Sequence, residues 1–301
     1  MINMLTRAFT HGGRFHADDV FGAALLRIIN PEIEIVRGFE VPEDFDGIVF
    51  DIGLGEYDHH QEDKQVRENG VAYAAFGLLW KEFGSRFMQE DEAKKFDEKF
   101  IQPLDICDNT GEYNELATII GLFNPVWDSN ADSNEAFFEA VEFAKKILLL
   151  KFEKSASILR AKEIVAEAIK NQKNGIMYLD QGAPWRQFVQ NTDIEFVIFP
   201  SLRGGYNIQA VEMDGEDRSL KCPFPEIFRG KTSEELEQLS GVETFHFCHT
   251  SGFLAATKTL EDAYKVVDVA RIKRAEALMA MENLDVCAPS LAGKDDINAV
   301  L

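Results

Sequence analysis

The chain of 301 residues sets 52 Asp and Glu against 31 Lys and Arg, a formal net charge of −21. Its 46% hydrophobic and 28% charged residues exclude a mostly disordered or fibrous protein, and its length suits roughly two domains of about 150 residues each. The acidity also argues against a broad basic nucleic-acid surface, although bound cations can reverse the sign of the field locally.

The longest uncharged apolar runs, residues 70–80 and 116–127, fall short of the ~18 residues a membrane span needs. Residues 1–7 show no secretory pattern, so a soluble cytoplasmic protein without membrane attachment is expected. Cys107, Cys222, Cys248 and Cys287 have no CxxC spacing and read as reduced packing residues.

In chain order, residues 4–10 read as a strand running into a His-Gly-Gly turn, and residues 17–29 as a helix stopped by Asn30-Pro31. Residues 34–38 and 47–51 are the next strands, the second an apolar run suited to a buried parallel strand. Helices are expected over 70–83 and 90–104. The alternation predicts an α/β fold, an N-terminal parallel sheet flanked by helices. Residues 133–171 read as one long helix or two, connecting the domains. Short strands follow at 175–179, 195–199, 206–211 and 244–248, then a helix over 259–281 and a weakly patterned tail. A domain boundary is expected at residues 150/151, with a smaller C-terminal α+β domain beyond it.

The six histidines fall in three pairs: His11 and His16, His59 and His60, His246 and His249. The first pair lies in His11-Gly-Gly-Arg-Phe-His16-Ala-Asp18-Asp19, a loop joining a strand to a helix, where open α/β sheets bind ligands. Asp18 and Asp19 also suit the positive end of that helix. Asp51 ends the buried strand and should point into the same crevice. His59 and His60 are neighbours on an extended segment and should face opposite ways, with different tasks. Asp105 and Asp108 form a third acidic group in Asp105-Ile-Cys-Asp108-Asn-Thr-Gly111, which also reads as a helix stop and turn. So many carboxylates in one place would repel one another unless cations joined them. Nitrogen and oxygen donors without thiolate favour two divalent ions, Mn²⁺ first, with Mg²⁺, Co²⁺ or Fe²⁺ open.

These residues resemble the DHH phosphoesterase superfamily, named for the triplet present here as Asp58-His59-His60. Within it they resemble the melanocyte-proliferating-gene protein family, whose eukaryotic members are associated with 3′–5′ RNA exonuclease activity. The matching stretches are residues 10–19 (THGGRFHADD), 51–53 with 57–61 (DIG and YDHHQ), 70–76 (GVAYAAF), 105–111 (DICDNTG), 206–211 (YNIQAV) and 247–253 (FCHTSGF). The resemblance implies metal ligation by His11, His16, Asp18, His59 and Asp108, with Asp51 the carboxylate shared by both ions. Asp58 would orient a ligand and His60 would face the substrate phosphate. One departure stands out: the superfamily's first motif places Asp four and six residues after its His, where this chain has Phe15 and Ala17, with His16 and Asp18 displaced by one.

By the same resemblance, residues 1–150 form a DHH-like metal-binding phosphoesterase domain. Residues 151–301 supply a connector helix and a substrate-binding domain, in which Arg203, His249, Ser251 and Gly252 converge on a phosphate as that domain closes. The expected reaction is metal-dependent hydrolysis of a phosphodiester by a two-metal-activated water, the ions roughly 3.5–4 Å apart. Single-stranded RNA or a short oligonucleotide is the implied substrate. The alternatives are a pyrophosphatase or nucleotide phosphatase on the same scaffold, and a non-catalytic protein binding metal or nucleotide. A homodimer is left open. No HExxH or Ser–His–Asp arrangement supports a protein hydrolase.

Overall fold

The computed structural model describes residues 6–215 and 219–286. The chain divides into two compact units between Ser157 and Ile158. In the first unit β1 (Arg7–His11) lies between β2 (Glu34–Gly38) and β3 (Ile48–Val49), all parallel. The strands are short and apolar because both faces are covered: Ala8, Phe9, Ile35 and Ile48 are buried. β3 is briefer than residues 47–51 suggest, yet Phe50 still donates its N–H to the Phe9 carbonyl at 3.0 Å. Parallel pairing brings the carboxyl ends of all three strands to one edge.

Helix α1 (Ala17–Ile29) forms where expected and buries every residue from Ala17 to Leu26. Its last turn closes through the Asn30 N–H on the Leu26 carbonyl, at 2.9 Å, and Pro31 bars continuation. The helix predicted over 70–83 begins only at α2 (Ala75–Phe83). The preceding chain instead folds back on itself: Val66 bridges Ala72, and Gly70 takes a φ of +84°.

The helix predicted over 90–104 runs further. It consists of α3 (Glu90–Phe96), one π-helical turn (Asp97–Ile101) and α4 (Gln102–Thr110), stopped by Gly111 at φ +73°. Asp105 and Asp108 are therefore helical residues, and the stop falls just after them. Sequence patterning did not reveal α5 (Glu115–Gly121), whose N-terminus the Asn114 side chain caps by accepting the Ala117 N–H at 3.0 Å. The 133–171 region is one helix, α6 (Ser133–Lys170).

In the second unit, β4 (Ile176–Tyr178) and β5 (Phe196–Pro200) pair in parallel. β6 (Tyr206–Ala210), β7 (Phe245–Cys248) and β8 (Leu254–Thr257) extend the sheet antiparallel, in the order β4-β5-β6-β8-β7. Helices α7 (Ser233–Ser240) and α8 (Leu260–Val286) accompany it. The architecture is thus a parallel three-stranded sheet with helices, a helical region, and a C-terminal mixed sheet. The tail beyond Val286, including Cys287, lies outside the described residues, as do residues 1–5 of the first strand region. Cys222 and Cys248 are buried free thiols and Cys107 is half-buried, the packing role expected of them. Among the described residues no helix is long and apolar enough to cross a membrane.

The bend before α2 and the π turn share one device. Arg67 donates from Nε and Nη2 to both Asp97 oxygens at 2.7 and 2.6 Å, and from Nη2 to Asp105 Oδ2 at 2.7 Å. Its guanidinium also stacks on Tyr73, 3.8 Å from the ring centroid. Any side chain at Gly77 would overlap Asp105 Oδ2, so α2 and α4 approach closely only because that residue is glycine.

Asp105→Ala removes one of the two carboxylates on Arg67 and leaves Asp97 to hold the guanidinium, so it should lower stability by about 1.5–3 kcal/mol in urea titrations, the range for a lost hydrogen bond to a charged group. Burial pushes the Asp105 carboxyl up to about 7, against the opposing pull of Arg67. A folded pKa above the unfolded one gives stability that is complete below about pH 4 and lost as pH rises through about 7. Asp105→Asn should flatten that decline between pH 4 and pH 8.

Candidate metal centre

His11 ends β1, and the loop after it is tied down at several points. The Gly12 N–H donates to the Gly38 carbonyl at 2.7 Å. The Gly13 carbonyl accepts from Arg37 Nη2 at 2.9 Å and from Ser133 Oγ at 2.6 Å. The Asn124 side chain bridges both backbone groups of Phe15, at 3.0 and 2.8 Å. Asp51 follows β3 with a φ of +57°, a left-handed conformation uncommon for a non-glycine residue and concentrated at functional sites. Its N–H donates to the Tyr57 carbonyl at 3.0 Å, closing the loop that carries Asp58, His59 and His60. Asp108 arrives from the last turn of α4. All these elements border one cleft of about 1150 Å³ in the first unit, lined by His11, His16, Asp51, His59, His60 and Asp108.

His11 Nε2 stands 3.1 Å from Asp19 Oδ2 and 3.2 Å from Asp51 Oδ2. Its Nδ1 lies 3.0 Å from the Gly12 carbonyl, which can only accept, so Nδ1 carries a proton and Nε2 is the nitrogen turned to the carboxylates. Asp19 has two tasks: Oδ1 accepts the His16 N–H at 2.9 Å, capping α1, while Oδ2 faces His11. His59 Nε2 is 3.1 Å from Asp108 Oδ2, and its Nδ1 is 3.7 Å from Asp18 Oδ2 and 3.8 Å from Asp51 Oδ1. That Nδ1 also accepts the Ala75 N–H at 3.1 Å. His59 can ligate a cation only by giving up one of these two hydrogen bonds.

The rings of His59 and His60 lie side by side, centroids 4.2 Å apart and tilted by 31°, which overturns the expectation that they face opposite ways. The segment is not an extended strand, because Asp58 Oδ1 accepts both the His60 N–H at 3.1 Å and the His60 Nδ1 proton at 2.7 Å. Exposure separates them instead: the His59 side chain is 6% exposed and that of His60 59%.

Four carboxylate oxygens, both of Asp18, Asp19 Oδ2 and Asp51 Oδ1, are buried with no hydrogen-bond partner. Burial, and then the charges of Asp51, Asp108 and Asp19, hold the Asp18 carboxyl well above the usual range. Burial raises Asp51 as well, against the pull of His11. Burial disfavours the His11 cation, but the Asp19 and Asp51 carboxylates beside it outweigh that and push His11 up to about 10. Asp108 is lowered: burial acts upward, and the adjoining His59 and Asp18 prevail. Such a surplus of buried negative charge calls for cations.

Three groups offer ligand atoms within 4.8 Å of one another: His11, Asp19 and Asp51; Asp51, His59 and His60; His16, Asp18 and Asp108. Orphaned oxygens beside imidazole nitrogens, with no thiolate, form a donor set that fits divalent ions such as Mn²⁺ or Mg²⁺.

Of these groups, the sequence suggests His11, His16, Asp18, Asp51, His59 and Asp108 as ligands and His60 as a substrate contact; Asp19, in the first turn of α1, suggests only a helix-end charge. Sequence reading also passes over Arg14 and Lys64, the arginine and lysine that line the cleft. Asp105, the alternative to Asp108, belongs to the Arg67 clamp instead.

In the second unit, Arg203 and His249 do not converge. Tyr206 pairs with Thr257 and Gln209 with Leu254, so the turn before β6 and the turn before β8 stand at opposite ends of the sheet, about 10–13 Å apart along the strands. Arg229 is the arginine beside Gly252: a Cβ there would lie 2.6 Å from its Nε. His249 Nδ1 accepts the Ser251 N–H at 3.1 Å, which shapes that turn. His246, the other member of the third pair, faces the Thr244 carbonyl at 3.1 Å.

Strand-end carboxylates and imidazoles gathered beside a parallel sheet define an α/β protein with a metal-type polar centre. The chain belongs to the family described as Uncharacterised protein family (UPF0160), the MYG1 family, whose model matches residues 7–270. It is similar to the MYG1 protein of Dictyostelium discoideum, 27% identical over 84% of this chain and 93% of that one. It is similar to the MYG1 exonuclease of Homo sapiens, 29% identical over 85% of this chain and 83% of that one, and to that of Bos taurus, 28% identical over 85% and 82%. No solved structure matches it significantly.

A cation that binds only the folded chain stabilises it, and its ligands must first shed protons. Mn²⁺ at a hundredfold excess over Kd should raise Tm by about 5 °C or more. The rise should be larger at pH 7.5 than at pH 5, because His11, Asp18 and Asp51 hold their protons more tightly than usual. Asp51→Asn should remove it, as read by calorimetry of the wild type and variant side by side.

Proposed function

We propose that this chain is a divalent-metal-dependent phosphodiesterase of the nuclease type, acting in the 3′–5′ direction on RNA or short oligonucleotides. The observation that carries the reading is the set of orphaned carboxylate oxygens on Asp18, Asp19 and Asp51, gathered beside the His11, His16 and His59 imidazoles at a cleft open to solvent. The exonuclease names of similar proteins support the same reaction class, and the matched stretches support a DHH-type centre.

His11, His16, Asp18, Asp51 and Asp108, with Asp19 and His59 beside them, would hold the cations. Cations bound there would activate a water molecule and offset the charge that develops on the phosphoryl oxygens. The remaining work falls to this chain's own side chains. Asp58 ties up the Nδ1 proton of His60, so the second ring nitrogen, on an exposed edge of the cleft, is free to hold a proton at the leaving oxygen. Arg14 and Lys64 bring fixed positive charge to an otherwise acidic cleft, and Lys64 is steadied by donating to Asn109 Oδ1 at 3.0 Å. His249, Ser251 and Gly252 remain our assignment for a phosphate contact in the second unit, with Arg229 in place of Arg203.

The test is metal analysis of the purified chain, then a screen of diesters, nucleotides and pyrophosphate with Mn²⁺, Mg²⁺ and Co²⁺. Hydrolysis of single-stranded oligonucleotides, lost on chelation and restored by metal, is the expected result. Preference for pyrophosphate would make the chain a phosphatase, and no turnover despite loaded metal would make it a binding protein. His60→Ala should keep its metal and lose about 10²–10⁴ in kcat.

A further inference from the structure

We propose that the α5 side of the cleft is a nucleobase subsite, so that the substrate is recognised through a base as well as through its phosphate; this rests on the phosphodiesterase reading above. The cleft has two unlike sides. The strand-end side carries His11, Asp51 and His60, whereas α5 contributes Ala117, Thr118 and Gly121, with Leu122 capping its C-terminal end. Residues 117 and 121, like 118 and 122, are four apart, so the four share one face of the helix.

That face is flat and open. A Cβ built at Gly121 meets no atom within 4 Å, so no neighbouring side chain fills the space in front of it. Leu122 is 78% exposed, and Leu54, also lining the cleft, is 65% exposed. Both side chains leave apolar surface open to a ligand in the cleft that holds the charged centre.

A pyrophosphate or a simple phosphate has nothing apolar to place there. A nucleotide unit carries a planar base at a fixed distance from its phosphate, and stacking on a protein surface contributes about 1–3 kcal/mol per base. Charge leads to the same choice. With a net charge of −21 the chain cannot attract nucleic acid through a diffuse basic surface, so affinity has to come from short-range contact near the cations.

The experiment compares adenylyl-3′,5′-adenosine with its abasic counterpart, the same sugar diester lacking both bases, on the metal-loaded full chain. Gly121→Trp fills the open space, and Leu122→Ala trims an exposed side chain without threatening the fold. The ratio of kcat/KM for the dinucleotide over the base-free diester should fall at least tenfold in Gly121→Trp and at least threefold in Leu122→Ala. The Kd of a labelled seven-residue oligo(A), read by fluorescence anisotropy, should rise at least tenfold in Gly121→Trp while the metal-induced rise in Tm persists. Unchanged ratios in both variants, with unchanged oligo(A) affinity, overturn the subsite and leave the phosphodiesterase reading standing. A wild type that cleaves neither diester despite loaded metal overturns both.

Discussion

Asp51 is 4% exposed, held at a positive φ, and turned toward an imidazole and further carboxylates that are as well buried as it is. Water cannot solvate this cluster, and His11 alone cannot neutralise Asp18, Asp19 and Asp51. Much of the surrounding structure serves to hold the crowded charges in place. The strained Asp51 backbone is fixed by Tyr57, the His11 loop by Arg37, Ser133 and Asn124, and the His60 ring by Asp58. Unpaired buried charge is costly unless a cation compensates it, which is why the cluster reads as a centre prepared for metal and not as a structural network.

A second buried network joins Arg67 to Asp97 and to Asp105, one helical turn before Asp108. It shows how the same residue types are used for architecture. Arg67 offers its planar fork to two carboxylates and its face to Tyr73, so each of these acids has a permanent cation hydrogen-bonded to it. In the cleft Asp18, Asp19 and Asp51 have no guanidinium or ammonium partner among the described residues. That difference, and not burial alone, separates the structural acids from the candidate functional ones.

The acidity of the chain also limits how a polyanionic substrate can be bound. Fixed positive charge in the cleft comes only from Arg14 and Lys64 among its described lining residues. Under the proposed function, such a substrate would be held locally, by cations, a few side chains and apolar contact.

The sequence by itself marked out most of the candidate site residues. Paired histidines, strand-end acids and a glycine-bearing loop are local patterns, and a parallel α/β sheet brings the carboxyl ends of its strands to one edge whatever the details. Burial periodicity likewise located α1, β2 and the long α6. Only the tertiary structure decided what depends on non-local closure. Asp19 turns to His11 because the strand and helix meet at that angle. His59 and His60 stack because Asp58 bends their segment. Asp105 leaves the cleft because Arg67, 38 residues earlier, claims it. α5, with its weak propensity and short length, is held by its Asn114 cap and by packing on α1 and α4, and Arg203 is parted from His249 by the register of β6 on β8. Register and packing are set by contacts between residues far apart in the chain, and no local pattern encodes them.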